Sequence, residues 1–286
     1  MFVRTHWRIT SKRLPGVWGL PKLIKCELWK LKRRKFVSLT LLFAFLFPIP
    51  LTYMMTTPSM ASRSDTPTEA FDSVFNFVLG YGVQFLLPAI LGIFAAILFF
   101  MERDSDTFKS LRTIPVTSRQ MILAKITVLF LYGIIFSIAS LGATLLCAVF
   151  LPQVFEITGL WYKLIMSVEM GVFITAGTLP LIILIVFFSK NYVFSVLLCI
   201  FYSVLNLSAT SLFEVLPKAV TWILPGTLTT FWSAGDMVAH GIDLNLRAMT
   251  DLDLIPSTMQ TVAILAVMGI VSVTLIIKMY ERRNRE

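Results

Sequence analysis

Six stretches of this chain are long and apolar enough to cross a bilayer: Phe36–Met55, Val74–Met101, Ile126–Leu151, Tyr162–Ser189, Tyr192–Phe213 and Ser257–Tyr280. A hydrocarbon core about 30 Å thick needs about 20 residues of helix per crossing. Lipid offers the backbone no hydrogen bonds, so each stretch must satisfy its own, as a helix does. Ser189-Lys190-Asn191 interrupts one long apolar run and reads as a tight turn between the fourth and fifth spans. With 57% hydrophobic and only 14% charged residues, a soluble domain is excluded. The expected fold class is an all-α polytopic membrane protein with six transmembrane helices.

Six crossings place both ends of the chain on one side, and Lys and Arg collect on the cytoplasmic side of membrane proteins. Of the 25 basic residues, 21 lie in the N-terminal region, the Glu102–Lys125 segment, the turn at Lys190 and the tail from Lys278; Arg63, Lys163, Lys218 and Arg247 are the others. Both termini and the Glu102–Lys125 segment are therefore expected in the cytoplasm. The net charge of +9 reports topology and attraction of the N-terminus to anionic lipid, and nucleic acid is not an expected partner.

The organisation that follows is a cytoplasmic N-terminus over residues 1–35, one six-span domain over 36–280 and a cytoplasmic tail over 281–286. Basic residues ahead of an apolar stretch resemble a signal peptide. That stretch is of crossing length, however, and no small-residue cleavage pattern follows it, so it reads as an uncleaved span. Just before it, PKLIKCELWKLKRRK sets Leu23, Ile24, Leu28 and Leu31 on one helical stripe. Lys22, Lys25, Lys30 and Lys32 lie to its sides and behind, a pattern that suits an amphipathic helix in the interface with membrane lipid.

Chemistry-bearing residues are sparse. Cys26, Cys147 and Cys199 fit no metal spacing, and the topology puts the last two near opposite faces, so neither a metal nor a disulfide is expected. His6 and His240 are solitary, and no nucleophile triad assembles. Without a G-x-x-x-x-G-K-[ST] loop, the chain is expected to bind no nucleotide or other cofactor and not to be an enzyme.

The segment between the second and third spans, ERDSDTFKSLRTIPVTSRQMILAK, has more internal order than a spacer needs. Asp106 is placed to cap a short helix from Thr107, with Phe108 and Leu111 on one face at i and i+3. Pro115 drives Ile114 out of helical conformation and ends that helix. Thr117 with Gln120 forms a capping-box pattern that starts the next one. The expected product is a rigid knob whose exposed apolar pair needs a partner.

Glu102, Thr107, Leu111, Pro115, Arg119 and Lys125 follow a pattern that resembles ABC-transporter permeases of the second exporter type. The run Lys25, Glu27, Lys30, Lys32 and Arg33 is similar to the start of the small permeases associated with lantibiotic immunity and bacitracin resistance. The resemblance covers the chain from Pro21. It implies that Thr107–Thr113 is a coupling helix seated in a separate cytoplasmic ABC ATPase, with Phe108 and Leu111 as anchors and Lys109, Arg112 and Arg119 at the rim. It also implies ATP and magnesium on that ATPase, a second permease as homodimer or paralogous heterodimer, an amphiphilic or peptide cargo, and a bacterial cell membrane. A lipid-modifying membrane enzyme would need clustered Asp, His or Glu near an interface, and an ATP-independent channel or carrier more polar spans or an inverted repeat; both classes stay open.

Two further features stand out. The stretch from Glu214 to Pro256 contains AVTWILPGTLTTFW, too short for a seventh crossing and suited to a re-entrant segment between the fifth and sixth spans. The rest of that loop, beyond the apolar run, is acidic, with Asp236, Asp243, Asp251 and Asp253 against Arg247 alone, either a lure for cationic peptides or the ordinary bias of an outer loop. Glu169 is the one carboxylate well inside a span, a costly position that marks it as a cargo contact or an interhelical polar site. Asn76, Gln84 and Asn206 read as interhelical hydrogen-bonding residues, and Pro48, Pro50 and Pro88 as kinks.

Overall fold

A computed structural model describes residues 19–32, 35–61, 64, 66–104, 117–188, 192–212, 215–242, 244 and 253–283, and among these every regular element is helical. In chain order they are α1 (Leu20–Lys32), α2 (Lys35–Leu46), α3 (Pro48–Met55), α4 (Pro58–Ala61), α5 (Pro67–Phe77) and a π-helical stretch Val78–Leu86. Then come α6 (Leu87–Asp104), α7 (Ser118–Phe150), α8 (Leu160–Phe187), α9 (Tyr192–Ser211), α10 (Lys218–Ile223), α11 (Pro225–Ala239) and α12 (Thr258–Arg283). Six helical units have the length and hydropathy of membrane spans: α2 with α3, α5 through α6, α7, α8, α9 and α12.

Several helices outrun the apolar stretches that predict them, because polar caps extend them past the hydrocarbon. The second span starts at Pro67, seven residues ahead of Val74: Thr66 accepts the Glu69 amide and Pro67 occupies the first turn. The third starts at Ser118, behind a reciprocal capping box in which the Thr117 hydroxyl accepts the Gln120 amide and the Gln120 side chain accepts the Thr117 amide. Extension brings Asp72 and Lys125 into helices, where both become structural. At Gly159 the chain adopts φ 58°, a left-handed turn open to glycine, and enters α8.

The second, third and fourth spans form the core, 61–67% of each crossing window being buried, whereas the sixth is 17% buried and presents Val262, Val267, Ile270 and Val271 outward. The α7–α8 contact is closest at Gly133 and Gly171. A Cβ added to Gly171 would lie 2.9 Å from the Gly133 carbonyl oxygen, so both backbones approach through the space a side chain would fill. Two helical ends gather on what we term the basal face, where Arg119 of α7 meets Glu281 of α12 at 3.0 Å. The opposite, distal face holds the Lys163–Asp72 pair of α8 and α5.

Prolines interrupt the spans in three ways. Pro48 opens α3 after a turn at Phe47, dividing the first span. Pro180 lies inside α8, a position the sequence reading does not single out. Pro88 follows the π-helical stretch instead of marking a simple kink. Its ring removes the N–H that the Gln84 carbonyl would receive in an α-helix and crowds that carbonyl, while Gly80 and Gly82 lower the resistance of the preceding turns to rewinding.

The four apolar residues of the N-terminal stripe differ in burial. Leu31 is buried and Ile24 packs against the core, but Leu28 is exposed beside Trp29 and Leu23 is half-buried. Glu27 takes the centre of the buried face, because α1 packs against α7, whose buried Lys125 offers it a cation there. The outward Leu28 and Trp29 are left for an apolar neighbour.

Candidate functional site

The polar residues of this bundle sit where helices meet, at three levels. At the basal face the chain leaves the second span through α6, whose last turn contains Glu102, and re-enters at the Thr117 capping box. Thr107, Phe108, Lys109, Leu111, Arg112 and Pro115, with the short helix expected there, lie outside the described residues. Arg119 does not stand alone at a rim: it pairs with Glu281 while keeping 70% of its side chain exposed.

Nearly two turns deeper, Lys125 is fully buried. Its Nζ donates to the Leu98 carbonyl at 2.6 Å, lies 3.8 Å from Glu27 Oε2 and sits 5.4 Å from the centre of the Phe99 ring. Glu27 also accepts from Lys30 at 2.5 Å. Helix α1 is thus fastened to the base of the second and third spans, the two helices that flank the polar segment. Burial of a charge is tolerable only with such partners. Sequence reasoning treats Lys125 as the end of one motif and Glu27 as part of another and misses their pairing; the signal available was an acidic residue one turn from Ile24 and Leu31 on an apolar stripe.

At the distal face Lys163, which charge counting assigns to an outer surface, is 2% exposed. Its Nζ pairs with Asp72 at 2.6 Å, donates to the Thr158 carbonyl at 2.7 Å and lies over the Phe71 ring at 4.9 Å. Nearby, Tyr162 donates to Asp236 at 2.9 Å and stacks on His240 with ring centres 4.2 Å apart, so His240 has a defined place despite its isolation in sequence. Glu169 is half-buried on α8, with Asp236 and His240 within electrostatic range. Asp253 pairs with Lys218; Asp243, Asp251 and Arg247 lie outside the described residues.

Between the two faces lies a third joint, built on α11. This helix begins against the middle of α8, where the Gly177 backbone admits Pro225, and ends beside Tyr162 in the first turn of α8. Its Gly226 amide donates to Asn206 Oδ1 of α9 at 2.8 Å, which satisfies an otherwise orphan helix-start donor. Gln84 of the π-helical stretch accepts from Thr230 at 2.9 Å and donates to Ser233 at 3.2 Å. Asn206 and Gln84 are therefore interhelical hydrogen-bonding residues, as their polarity within spans suggests.

A lateral groove of about 470 Å³ between α8 and α12 is lined by Phe130, Phe173, Leu179, Leu265, Gly269 and Val273. Its walls are apolar and fit hydrocarbon. Among the described residues no group of His, Cys, Asp and Glu is arranged to hold a metal, and Cys26, Cys147 and Cys199 are free.

Residues 23–206, more than half of the chain, match the sequence profile described as ABC-2 family transporter protein. No curated protein is similar enough to count as a match. The matched range runs from α1 into the fifth of the six spans and encloses the whole Glu102–Lys125 segment, so the chain belongs to the ABC-2 family of transporter proteins and is a membrane transport subunit, not itself catalytic.

Proposed function

We propose that this protein is the permease of an ATP-driven exporter that expels an amphiphilic compound, such as a lantibiotic or bacitracin, from a bacterial cell membrane. A separate ABC ATPase, carrying ATP and magnesium, docks on the cytoplasmic knob through Phe108 and Leu111. Glu102, Thr107, Lys109, Arg112, Pro115 and Arg119 frame that contact, and both chain termini share its side. A second permease, identical or paralogous, completes the pathway. The α10–α11 pair serves as the re-entrant segment near the exit, and Glu169 as a contact for cationic cargo. The observation that carries the reading is the family match across the polar segment. The capping box that restarts the helix beyond that segment and the apolar groove between α8 and α12 support it.

The test is recovery of a Walker-type ATPase with the tagged permease, with hydrolysis stimulated by bacitracin or a lantibiotic. Phe108→Ala with Leu111→Ala is expected to abolish export and resistance while leaving the permease folded in the membrane. Unchanged transport in that double variant refutes the docking assignment.

A further inference from the structure

The second span is wound in two ways, and the differently wound stretch contains the residue that touches the helix nearest the proposed exit. Its first turns, Pro67–Phe77, are α-helical, Val78–Leu86 is π-helical and Leu87–Asp104 is α-helical again. Nine residues of π-helix are a long run for a form that occurs mostly as single-turn bulges, often at functional positions. From the π stretch Gln84 reaches α11 with both ends of its amide, accepting from Thr230 and donating to Ser233.

The receiving side can let go without leaving a buried polar group unpaired. The Thr230 hydroxyl also lies 2.7 Å from the Gly226 carbonyl, an acceptor within its own helix, and its single proton serves one oxygen or the other. Ser233 likewise retains the Thr230 carbonyl at 2.9 Å. On the releasing side, two small cavities of about 10 and 20 Å³ border Gln84, both also lined by Asn206 and Gly226. The smaller is at the margin of the size that admits one water and the larger exceeds it. The contact can therefore exist in two states of similar polar satisfaction.

We infer that Gln84 is the positioning residue through which the second span holds α11, and that rewinding of the π stretch is how motion at the basal end of the span releases it. The α and π forms differ in residues per turn, so converting part of the stretch turns the Leu87–Asp104 half against the Pro67–Phe77 half by on the order of tens of degrees. The distal half is held at Asp72 by Lys163, and the basal half runs directly into the 105–116 segment. Rotation applied at that segment is thereby absorbed in the π stretch and moves Gln84 relative to Thr230 and Ser233. The inference rests on the proposed role of that segment as the ATPase dock.

Two measurements separate the inference from that reading. In nanodiscs of phosphatidylethanolamine and phosphatidylglycerol, the permease alone is followed by hydrogen exchange at residues 226–239. Gln84→Leu is expected to exchange about tenfold faster there than wild type, the factor expected for two modest hydrogen bonds, with Gln84→Glu intermediate because it retains an acceptor for Thr230. Should Gln84→Leu not fold, Thr230→Val with Ser233→Ala removes the same contacts from α11. Unaltered exchange in the folded variant overturns the latch. In the complex with its co-purified ATPase, ATP with vanadate is expected to change exchange over 226–239 in wild type and not in Gln84→Leu, whose ATP hydrolysis persists without export. A nucleotide response that survives in Gln84→Leu, or is absent from wild type, overturns the transmission role. If no ATPase is recovered, the exporter reading fails, and the first measurement still decides the latch.

Discussion

Lys125 and Glu27 provide a test of how α1 is fastened to the bundle. Lys125→Met preserves the length and apolar stem of the side chain and removes the charge that stands 3.8 Å from Glu27 Oε2, the donor to the Leu98 carbonyl and the cation over Phe99. Glu27 is itself only 5% exposed, and among the described residues its carboxylate keeps Lys30 as a cationic partner. Breaking a buried pair by removing one member costs about 3–5 kcal/mol; the surviving Lys30 contact places Lys125→Met at the lower end. Glu27→Leu leaves Lys125 its carbonyl and ring and costs about 1–3 kcal/mol. Replacing both removes the two buried charges of this joint together, so the double variant is expected to lie near or above wild type. Unfolding by SDS in mixed micelles, followed by far-UV circular dichroism, yields the four corners of the cycle. Single effects that add to within about 0.5 kcal/mol, the margin for independent sites, refute an energetic link between α1 and the base of the spans.

Two further substitutions probe the joints between helices. Gly133→Ala places a Cβ 2.2 Å from Thr175 Oγ1 and 2.9 Å from the Gly171 carbonyl, forcing α7 and α8 apart at a cost of about 1–3 kcal/mol, whereas Gly142→Ala meets nothing within 4 Å and is expected to be neutral or slightly stabilising in the same SDS titration. Asn206→Leu deletes the acceptor for the Gly226 amide and is expected to cost about 1 kcal/mol, visible as faster exchange at the start of α11, with Asn206→Asp restoring protection.

The spans and the third-span capping box are legible in the sequence because both are local. Transfer of an apolar run into hydrocarbon depends on that run, and a capping box closes over four residues. Gly80, Gly82 and Pro88 advertise a departure from regular α-helix, but propensities give no sense of winding, and the outcome is a π stretch that the expected kink does not describe. The polar joints are half-legible. Gln84, Asn206 and Glu169 are conspicuous in apolar surroundings, while their neighbours Ser233, Gly226 and Asp236 belong to distant segments that no periodicity links to them. Lys163 and Lys125 mislead in the opposite direction. Each lies at the edge of an apolar stretch, where counting reads a solvated topology marker, and each is buried because a carboxylate from another helix meets it.

These joints share one element. The second span supplies Asp72 to Lys163 at the distal end, Gln84 to α11 in the middle and the Leu98 carbonyl to Lys125 toward the base. The two end joints involve the buried cations Lys163 and Lys125, whose charge would be left unpaired on separation, so they resist opening more firmly than the neutral contact in the middle. A rod held at both ends responds to torque by changing its winding in between. The stretch whose α-helical hydrogen bonding is already abandoned, and whose middle contact has a fallback acceptor in Thr230's own helix, is the place where that change requires the least. The second span is therefore built to twist between fixed ends, and the helix it would release in twisting is α11.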